Sequence, residues 1–573
     1  MVVHFKRKLR LRKARTPLLF AALAGATASG AIAQVSSPTA PLSFRTDYLG
    51  YAASVSPRVT YTDNIDLQPD QFAEDAFIFS NLLTASAIFS NQRFTGIISG
   101  DLDLSYVTDI DDFRVNQDIG GASTFTAVEN LLYVDIAGQT ARQLVGDAAR
   151  FSANPNAARG QQANINSYSV SPYLYREYAD QSTTELRYRF SQVFIDDATA
   201  DVNLGFGDLL NDSTTHEVLA AYSSGALLDR LRFTLSAYGN DTTEDGSTVV
   251  PRFEYQQGSL TGEIEYALTS NFALTGAIGY DDIDTEATQT FIVGGAPVDV
   301  IVPLFDDSEL SGVFWRAGFS AQPGRRTQIR LEYGRRYDDD FVDASLTYRI
   351  SPRYTLNASA GRSFETRAQA ISGRFRDIAR QTLDFADRLR EGEELSPRGL
   401  IAAANQVGGG RVDAQTVGIG ASNNAAISLN GAFDRSVVSL SASYEDTDFG
   451  FRQNENIGVN ANISRELSRR VNAYAGAFYR RTDTTVDSAT CIGSPFLFGF
   501  DAAPNSVDAE TSCDAFIAAN GVTNTVGGRA GLSYRLYENL SVFGEYAHTE
   551  RFSPSPLLEY SENTVTAGFV LDF

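Results

Sequence analysis

The chain has 573 residues, with 47 Lys+Arg against 70 Asp+Glu, a net charge of −23 and a mean hydropathy of −0.18. This acidic balance, without a basic face that could follow phosphates, excludes nucleic acid as a partner. The only long apolar stretch lies at the N-terminus, so a helical membrane protein is also excluded. The 46 Gly, 26 Tyr and 37 Phe instead favour many half-buried strands.

The N-terminus has the pattern of a secretory signal peptide, residues 1–33. A basic segment, 6–15, precedes an apolar run, 17–24, and Ala31-Ile32-Ala33 predicts cleavage before Gln34. The alternative is a short membrane anchor. Cleavage would remove every lysine and take the net charge to about −30. Residues 34–48 then form a short periplasmic segment. We expect it to be too short for a separate plug domain, which disfavours TonB-dependent receptors.

From residue 49 to 573 the chain repeats runs in which apolar and polar residues alternate. Clear examples are 94–106, 327–337 and 341–350. The runs are about as long as a tilted strand needs to cross a bilayer, their polar faces carry full charges, and Tyr and Phe recur at their ends. These features favour a transmembrane antiparallel up-and-down β-barrel, of all-β class, over a soluble sandwich.

Loop lengths provide an independent test, because barrels alternate short periplasmic turns with longer external loops. Short turns are predicted at 91–92, 179–181, 268–270, 322–325, 351–352, 467–469 and 538–539. Long loops are predicted at 63–74, 146–163, 195–213, 284–308, 367–423, 483–523 and 553–561. Counted from the C-terminus, all long loops fall on one side. We predict about 22 strands, with a range of 16 to 22, and both termini in the periplasm.

The two longest external loops, 367–423 and 484–523, have features of their own. Apolar residues spaced by three or four within 374–391 predict an amphipathic helical insert, which either enters the lumen or caps the mouth. Cys491 and Cys513 lie in the second loop, and an oxidising periplasm would let them form a disulfide. The alternative, a metal or redox pair, lacks C-x-x-C spacing and nearby histidines.

The polar faces of the strands predict which charged side chains line the lumen. An Arg on the lipid face would cost about 2–4 kcal/mol at the midplane, so these rows should face water. They are Arg187, Arg189, Arg316, Arg330, Arg336 and Arg349, with Asp101, Asp103, Glu332 and Asp343. One reading is a polar track for a hydrated solute. The other is that the charges pair across the wall and stiffen it.

The last strand has an alternating apolar face that includes Phe569, Leu571 and the terminal Phe573. It resembles the recognition signal of outer-membrane barrel assembly, which implies the barrel assembly machinery as a partner. We accordingly expect a location in the outer membrane of a Gram-negative cell, in contact with lipid and lipopolysaccharide.

No catalytic group stands out, so we predict no enzyme activity, cofactor or metal. The mature chain has two histidines, His216 and His548, and lacks G-x-S-x-G and a phosphate-binding loop. Acidic clusters at 109–112 and 338–340 could hold Ca²⁺ or bridge lipopolysaccharide. Neither matches a calcium-binding loop, and solvated loop charge is the simpler interpretation.

Short motifs at 57–65, 315–319, 323–327 and 333–337 carry a family resemblance. Together they resemble the outer-membrane β-barrel porins associated with exopolysaccharide and PEP-CTERM (exosortase) systems. The resemblance implies a conduit for surface exopolysaccharide, with polysaccharide and periplasmic export components as partners. The alternatives are a surface structural or adhesive barrel and a general diffusion porin.

Overall fold

A computed structural model describes most of the chain beyond residue 47. The described residues are 48–108, 112–144, 152, 154, 157, 162–196, 212–225, 230–246, 252–293, 296–303, 310–337, 339–366, 419–450, 452–498, 502, 504–519 and 521–573. The predicted signal peptide and the predicted helix within 374–391 lie outside them.

The described residues form 23 strands in a single antiparallel sheet. The first twelve are β1 Tyr48–Thr62, β2 Ala76–Ser90, β3 Phe94–Val107, β4 Asp112–Val128, β5 Leu132–Leu144, β6 Gln162–Glu177, β7 Thr183–Asp196, β8 Ser213–Ser223, β9 Leu231–Glu244, β10 Arg252–Thr269, β11 Phe272–Val293 and β12 Ala296–Pro303. The others are β13 Gly312–Gly324, β14 Thr327–Arg336, β15 Asp339–Ser351, β16 Tyr354–Thr366, β17 Ile419–Ala432, β18 Ser436–Asp448, β19 Arg452–Glu466, β20 Val471–Val486, β21 Thr523–Arg535, β22 Leu540–Phe552 and β23 Tyr560–Asp572.

The sheet closes into a barrel whose wall has 22 strands, which confirms the predicted fold and strand number. Each wall strand pairs with its neighbours in the chain, and β1 pairs with β23. The additional strand, β12, pairs only with the outer part of β11, at residues 286–293. The periplasmic part of β11, at 272–281, pairs directly with β13. A hairpin therefore projects above the wall where the sequence predicted the loop 284–308.

The β1–β23 seam has an interrupted ladder. It contains seven residue pairs and skips Ser56 and Pro57, whereas β1 pairs with β2 without a break. Proline has no N–H to donate, which accounts for the gap. At the extracellular end Asp63 accepts hydrogen bonds from the backbone and side-chain nitrogens of Asn563, both at 2.7 Å. Polar contacts therefore support the seam where its ladder ends.

Side chains alternate between the two faces of the wall as predicted by the sequence pattern. In β2, Phe77 and Phe79 are exposed while the intervening Ile78 and Ser80 are buried. Along the wall the exposed face carries large apolar side chains, among them Ile98, Leu260 and Ile278. The opposite, inner face carries mostly Ser, Thr and charged residues. This distribution is typical of a barrel that faces lipid outside and a polar interior inside.

The connections have the expected asymmetry between the two ends of the barrel. All seven predicted short turns coincide with or overlap the connections between paired strands at one end, which is therefore periplasmic, although those at 268–270, 322–325 and 351–352 begin within the preceding strand. Three further connections at that end, which join β4 to β5, β8 to β9 and β17 to β18, were not predicted from the sequence. In the first of them Asn130 adopts a positive φ of 57°, a conformation that Asn tolerates better than most residues. The predicted loops 367–423 and 484–523 are bounded by strands that end at Thr366 and Val486 and resume at Ile419 and Thr523.

Two α-helices lie between β20 and β21: α1 Ser488–Gly493 and α2 Val507–Ala519. Short 3₁₀ helices occur at Asp70–Phe72 and Pro495–Phe498. No helix within the described residues is long and apolar enough to cross a membrane.

Candidate functional site

A belt of ion pairs crosses the inner face of five neighbouring wall strands, β10, β11, β13, β14 and β15, and β11 contributes no charge to it. Arg316 on β13 is central: it contacts Glu263 on β10, lies 3.3 Å from Glu332 on β14 and 3.6 Å from Asp343 on β15. Arg330 approaches the same Glu332 at 3.0 Å. Because Glu332 is only 1% exposed, its charge depends on these two guanidinium groups. The belt therefore consists of mutually compensated charges.

A second ion pair, also on the inner face, stands nearer the extracellular end. Arg336 binds Asp281 through Nε at 2.6 Å, and its guanidinium lies 4.5 Å from the ring centre of Phe314 and 4.8 Å from that of Tyr337. Phe314 in turn covers Gly279, where an added Cβ would lie 2.3 Å from the ring. The charge of Arg336 is therefore neutralised by Asp281, and its guanidinium lies against the rings of Phe314 and Tyr337.

The wall strands β5–β9 repeat this arrangement. Arg187 binds Asp135 at 2.8 Å, contacts Glu185 and stacks 3.7 Å above the ring of Tyr173. One position along the same face, Arg189 binds a carboxylate oxygen of Glu217 at 2.8 Å. The other oxygen of Glu217 accepts a hydrogen bond from Tyr238. Arg187 and Arg189 are 5% and 7% exposed, so little of either is available to a solute.

The ten charged residues predicted to line the lumen thus divide into two groups. Eight of them are in ion pairs: Arg187, Arg189, Arg316, Arg330, Arg336, Asp103, Glu332 and Asp343. Asp101 pairs in register with Thr84 on β2. Arg349 is exposed on the same face of β15 as Asp343 and has no side-chain partner among the described residues. Their role towards a solute stays a prediction.

The sequence did not identify the partners of these arginines. Asp135, Glu217, Glu263 and Asp281 are separated from them by 28 to 55 positions along the chain. Each acid lies on the polar face of its own strand, so the alternation of polar and apolar residues could have identified it as a residue that faces the lumen. Pairing, however, depends on strand register, which alternation alone does not fix.

An apolar cluster fills part of the extracellular mouth. It joins residues at the outer ends of β6, β10, β11, β16 and β17 to residues of the α1–α2 loop. The wall contributes Phe253, Tyr255 and Phe364, and the loop contributes Phe498 and Phe516, all 4% exposed or less. The loop emerges between β20 and β21, on the far side of the barrel from β10. It therefore extends into the mouth and narrows it. We call these residues the mouth cluster.

The disulfide that the sequence predicted fixes this loop. Cys491 in α1 and Cys513 in α2 are joined, 22 positions apart, and both are fully buried in the mouth cluster. Asp487 caps α1 by accepting hydrogen bonds from the backbone and side chain of Thr490, which lower the pKa of the Asp487 carboxyl. The cap therefore stabilises α1 above the ordinary carboxyl pKa and is lost as the pH falls through the lowered one.

The outer face of the closing strand β23 continues the apolar belt. Val565 and Phe569 are exposed, and the backbone N–H of Phe573 donates to the carbonyl of Ala53 across the seam. Phe569, Leu571 and Phe573 thus lie on the face that meets lipid. Their recognition by an assembly machinery stays a prediction. A closed barrel with this belt is a protein of the bacterial outer membrane.

Within the described residues no three His, Cys, Asp or Glu side chains lie close enough to hold a metal ion. The acidic cluster 109–112 falls largely outside those residues. Within 338–340, Asp339 binds Arg362 at 2.8 Å. The absence of enzyme activity and of a cofactor stays a prediction.

No protein-family model and no curated protein matches the chain. Solved structures do resemble its fold. The ferric-catecholate import receptor Fiu from E. coli K12, in its open form, is 11% identical with a TM-score of 0.49, over 91% of this chain and 82% of the receptor. The siderophore receptor PiuA from Acinetobacter baumannii is 9% identical with a TM-score of 0.47, over 93% and 82%. Similarity at this level carries no information on what this barrel binds.

Proposed function

We propose that the protein is an outer-membrane conduit for a hydrophilic polymer, and that the polymer is an exopolysaccharide leaving the cell. The observation that carries the proposal is the closed wall of 22 strands with a polar, charged inner face. Barrel diameter grows with strand number, and 16 to 18 strands already leave a water-filled channel. A wall of this size encloses more space than its own side chains fill.

The paired charges of the inner wall suit passage better than tight binding. Arg316 is shared among three carboxylates, and Arg336 is held by Asp281 and two aromatic rings. A passing sugar hydroxyl or carboxylate would therefore meet compensated groups, none of which traps it strongly. The resemblance of the sequence motifs to exopolysaccharide-associated porins supports polysaccharide as the cargo.

The mouth cluster would act as a constriction at the exit. Because its loop is stapled by Cys491–Cys513 and packed on the opposite wall, the mouth is narrower than the barrel. We expect such a constriction to admit a polymer chain end-on and to exclude folded proteins. The partners that follow are lipid and lipopolysaccharide outside the wall, the assembly machinery at β23, and polysaccharide export components at the periplasmic turns.

Two measurements on the same protein test this proposal. In planar bilayers the purified barrel should give stable channels, and deletion of its gene should abolish surface polysaccharide while intracellular polymer accumulates. The signal peptide, residues 1–33, should be absent from the mature protein by N-terminal sequencing. A control strain that carries the full-length gene on a plasmid should recover export.

Other outcomes would identify other functions. Channels without a change in surface polysaccharide would favour a general diffusion porin. Loss of adhesion with no channel activity would favour a surface structural role. Loss of growth on ferric siderophores, with polysaccharide unchanged, would reject export and point to iron import.

A further inference from the structure

One part of the inner wall presents aromatic rings beside an arginine, Arg529, that forms no ion pair within the described residues. On β20, Tyr474 and Phe478 lie on the inner face and are half-buried. They are four residues apart, about 13 Å along an extended strand. Between them, on the same face, is Gly476, which has no side chain. The strand therefore presents two rings with a gap between them.

Both rings lie over glycines of the next strand. A Cβ added to Gly531 would lie 2.4 Å from the Tyr474 ring, and one added to Gly527 would lie 2.4 Å from the Phe478 ring. The rings therefore lean along β21, because no side chain there holds them upright. Glu545 of β22 pairs in register with Gly531, so it lies on the inner face beside the Tyr474 ring that leans over that glycine.

Polar side chains flank the gap on both sides. Asn462 of β19 and Arg529 of β21 both pair in register with Gly476. A Cβ on Gly476 would lie 2.6 Å from Oδ1 of Asn462, so the amide reaches over the glycine. Both polar side chains are exposed, and Arg529 has no hydrogen-bond or ion-pair partner among the described residues. We call Tyr474, Gly476, Phe478, Asn462 and Arg529 the glycine-floored slot.

A further ring continues the slot towards the periplasm. Phe543 on β22 lies over Gly568 of β23, where an added Cβ would be 3.0 Å from the ring. It pairs with Ser533, two positions below Gly531 on β21. Neighbouring strands are about 5 Å apart, so β22 lies about 10 Å from β20 and the Phe543 ring is within one or two sugar units of Tyr474.

Each component matches a part of an acidic saccharide. The C–H face of a pyranose ring packs on an aromatic ring, an amide exchanges hydrogen bonds with hydroxyls, and an unpaired guanidinium takes a carboxylate in two hydrogen bonds. We infer that the glycine-floored slot is a binding site for a saccharide chain bearing carboxylate groups. This inference rests on the proposed conduit function and specifies where in the conduit the cargo is held.

Binding to the detergent-solubilised full-length barrel tests the slot directly, without requiring an open channel. The probes are an oligogalacturonate and a malto-oligosaccharide of equal length, measured by isothermal titration calorimetry. The acidic oligomer should bind more tightly. Tyr474→Ala with Phe478→Ala should weaken both oligomers about tenfold, since each aromatic contact contributes a factor of a few. Arg529→Gln should weaken only the acidic oligomer, about fivefold or more.

Matched controls separate the slot from general effects on the barrel. Tyr479→Ala alters the residue next to Phe478, on the lipid-facing side, and should leave binding unchanged. Arg349→Gln removes another exposed inner arginine, on β15, and should also leave binding unchanged. Gly476→Val keeps both rings and fills the gap, and should abolish binding while heat-modifiable migration on gels shows that the barrel is folded.

The outcomes distinguish the slot from the conduit. Binding that is insensitive to Gly476→Val, or no binding of either oligomer, would overturn the slot even if channels form. Binding that is lost as predicted, in a protein without channels and a mutant strain with normal export, would uphold the slot and reject the conduit.

Discussion

The inner wall from β5 to β15 and the inner wall from β19 to β21 differ in how they use charge. In the first, the arginines of the ion-pair clusters share carboxylates and most are buried: Arg187 is 5% exposed and Glu332 is 1% exposed, and only Arg349, at the periplasmic end of β15, is exposed without a partner among the ten predicted lumen residues that the structure describes. In the second, Arg529 is exposed and unpaired among the described residues, and it lies between two aromatic rings. One closed sheet therefore contains a compensated wall and an open wall.

The difference shows that a charged inner face is not by itself a binding surface. A guanidinium that is already bound to two or three carboxylates has little to offer a solute, and moving it would leave a buried charge uncompensated. Between β19 and β21 the neighbouring residues are small, as at Gly476, Gly527 and Gly531, and there an exposed guanidinium lies beside aromatic rings. Stability and binding are thus assigned to different sectors of the wall.

The largest effect is expected where a compensated pair is broken. Asp281→Leu should destabilise the folded barrel by about 3–5 kcal/mol, because the Arg336 guanidinium would lose the carboxylate that binds it on the inner wall. The double variant Asp281→Leu with Arg336→Met should recover most of that loss. Urea unfolding in detergent, followed by tryptophan fluorescence of Trp315, measures both. A single variant as stable as the parent would contradict the compensated wall.

Arg349→Gln is the matched control for this measurement. Its guanidinium is exposed and has no side-chain partner among the described residues, so the free energy of unfolding should change by no more than about 0.5 kcal/mol.

Much of the barrel could be predicted from sequence because alternation reports directly which face a residue occupies. It gave the strands, the closing face of β23 and the polar face that carries Arg316 and Arg330. It also predicted a loop at 284–308, where β11 and β12 form a hairpin. That segment lacks clear alternation, since Thr288, Gln289 and Thr290 are followed by Phe291, Ile292 and Val293, and the absence of a period of two made a projecting hairpin look like a loop.

The binding slot was not predictable in the same way. It depends on the register that places Gly476 beside Asn462 and Arg529, and on the glycines of β21 that let the rings lean. A glycine in a strand signals a close approach or a missing side chain, without saying which ring will cover it. The disulfide could be predicted from the sequence because two cysteines in an exported chain can form only one intramolecular pair.

The next largest effect concerns access to the open wall. The β20–β21 hairpin contains the slot within the barrel and carries the disulfide-bonded loop at its extracellular end. Replacing Cys491 and Cys513 together by Ser should cost about 3 kcal/mol of loop stability on the chain-entropy model. Release of Phe498 and Phe516 from the mouth cluster should raise single-channel conductance, and oligogalacturonate affinity should not change. Unaltered conductance would show that the loop does not limit passage.

The control for this variant is chemical. Reduction of the parent protein with dithiothreitol should reproduce the conductance of the double serine variant, and reduction of the variant itself should have no effect. A conductance change on reducing the variant would show that the reagent acts elsewhere.

The smallest effect is expected on ion selectivity, and it compares the two walls under one measurement. Removing the exposed charge by Arg529→Gln makes the lumen more negative, so the cation-to-anion permeability ratio should rise. One charge acting over about 10 Å of water is worth about 0.4 kcal/mol, which limits the change to about twofold at low salt, and less at 1 M. The neutral replacement of the Asp281–Arg336 pair by Leu and Met leaves the net charge unchanged and should not shift the reversal potential. If that replacement shifted it as much as Arg529→Gln, ions would sense the compensated charges individually, and the distinction between the two walls would fail.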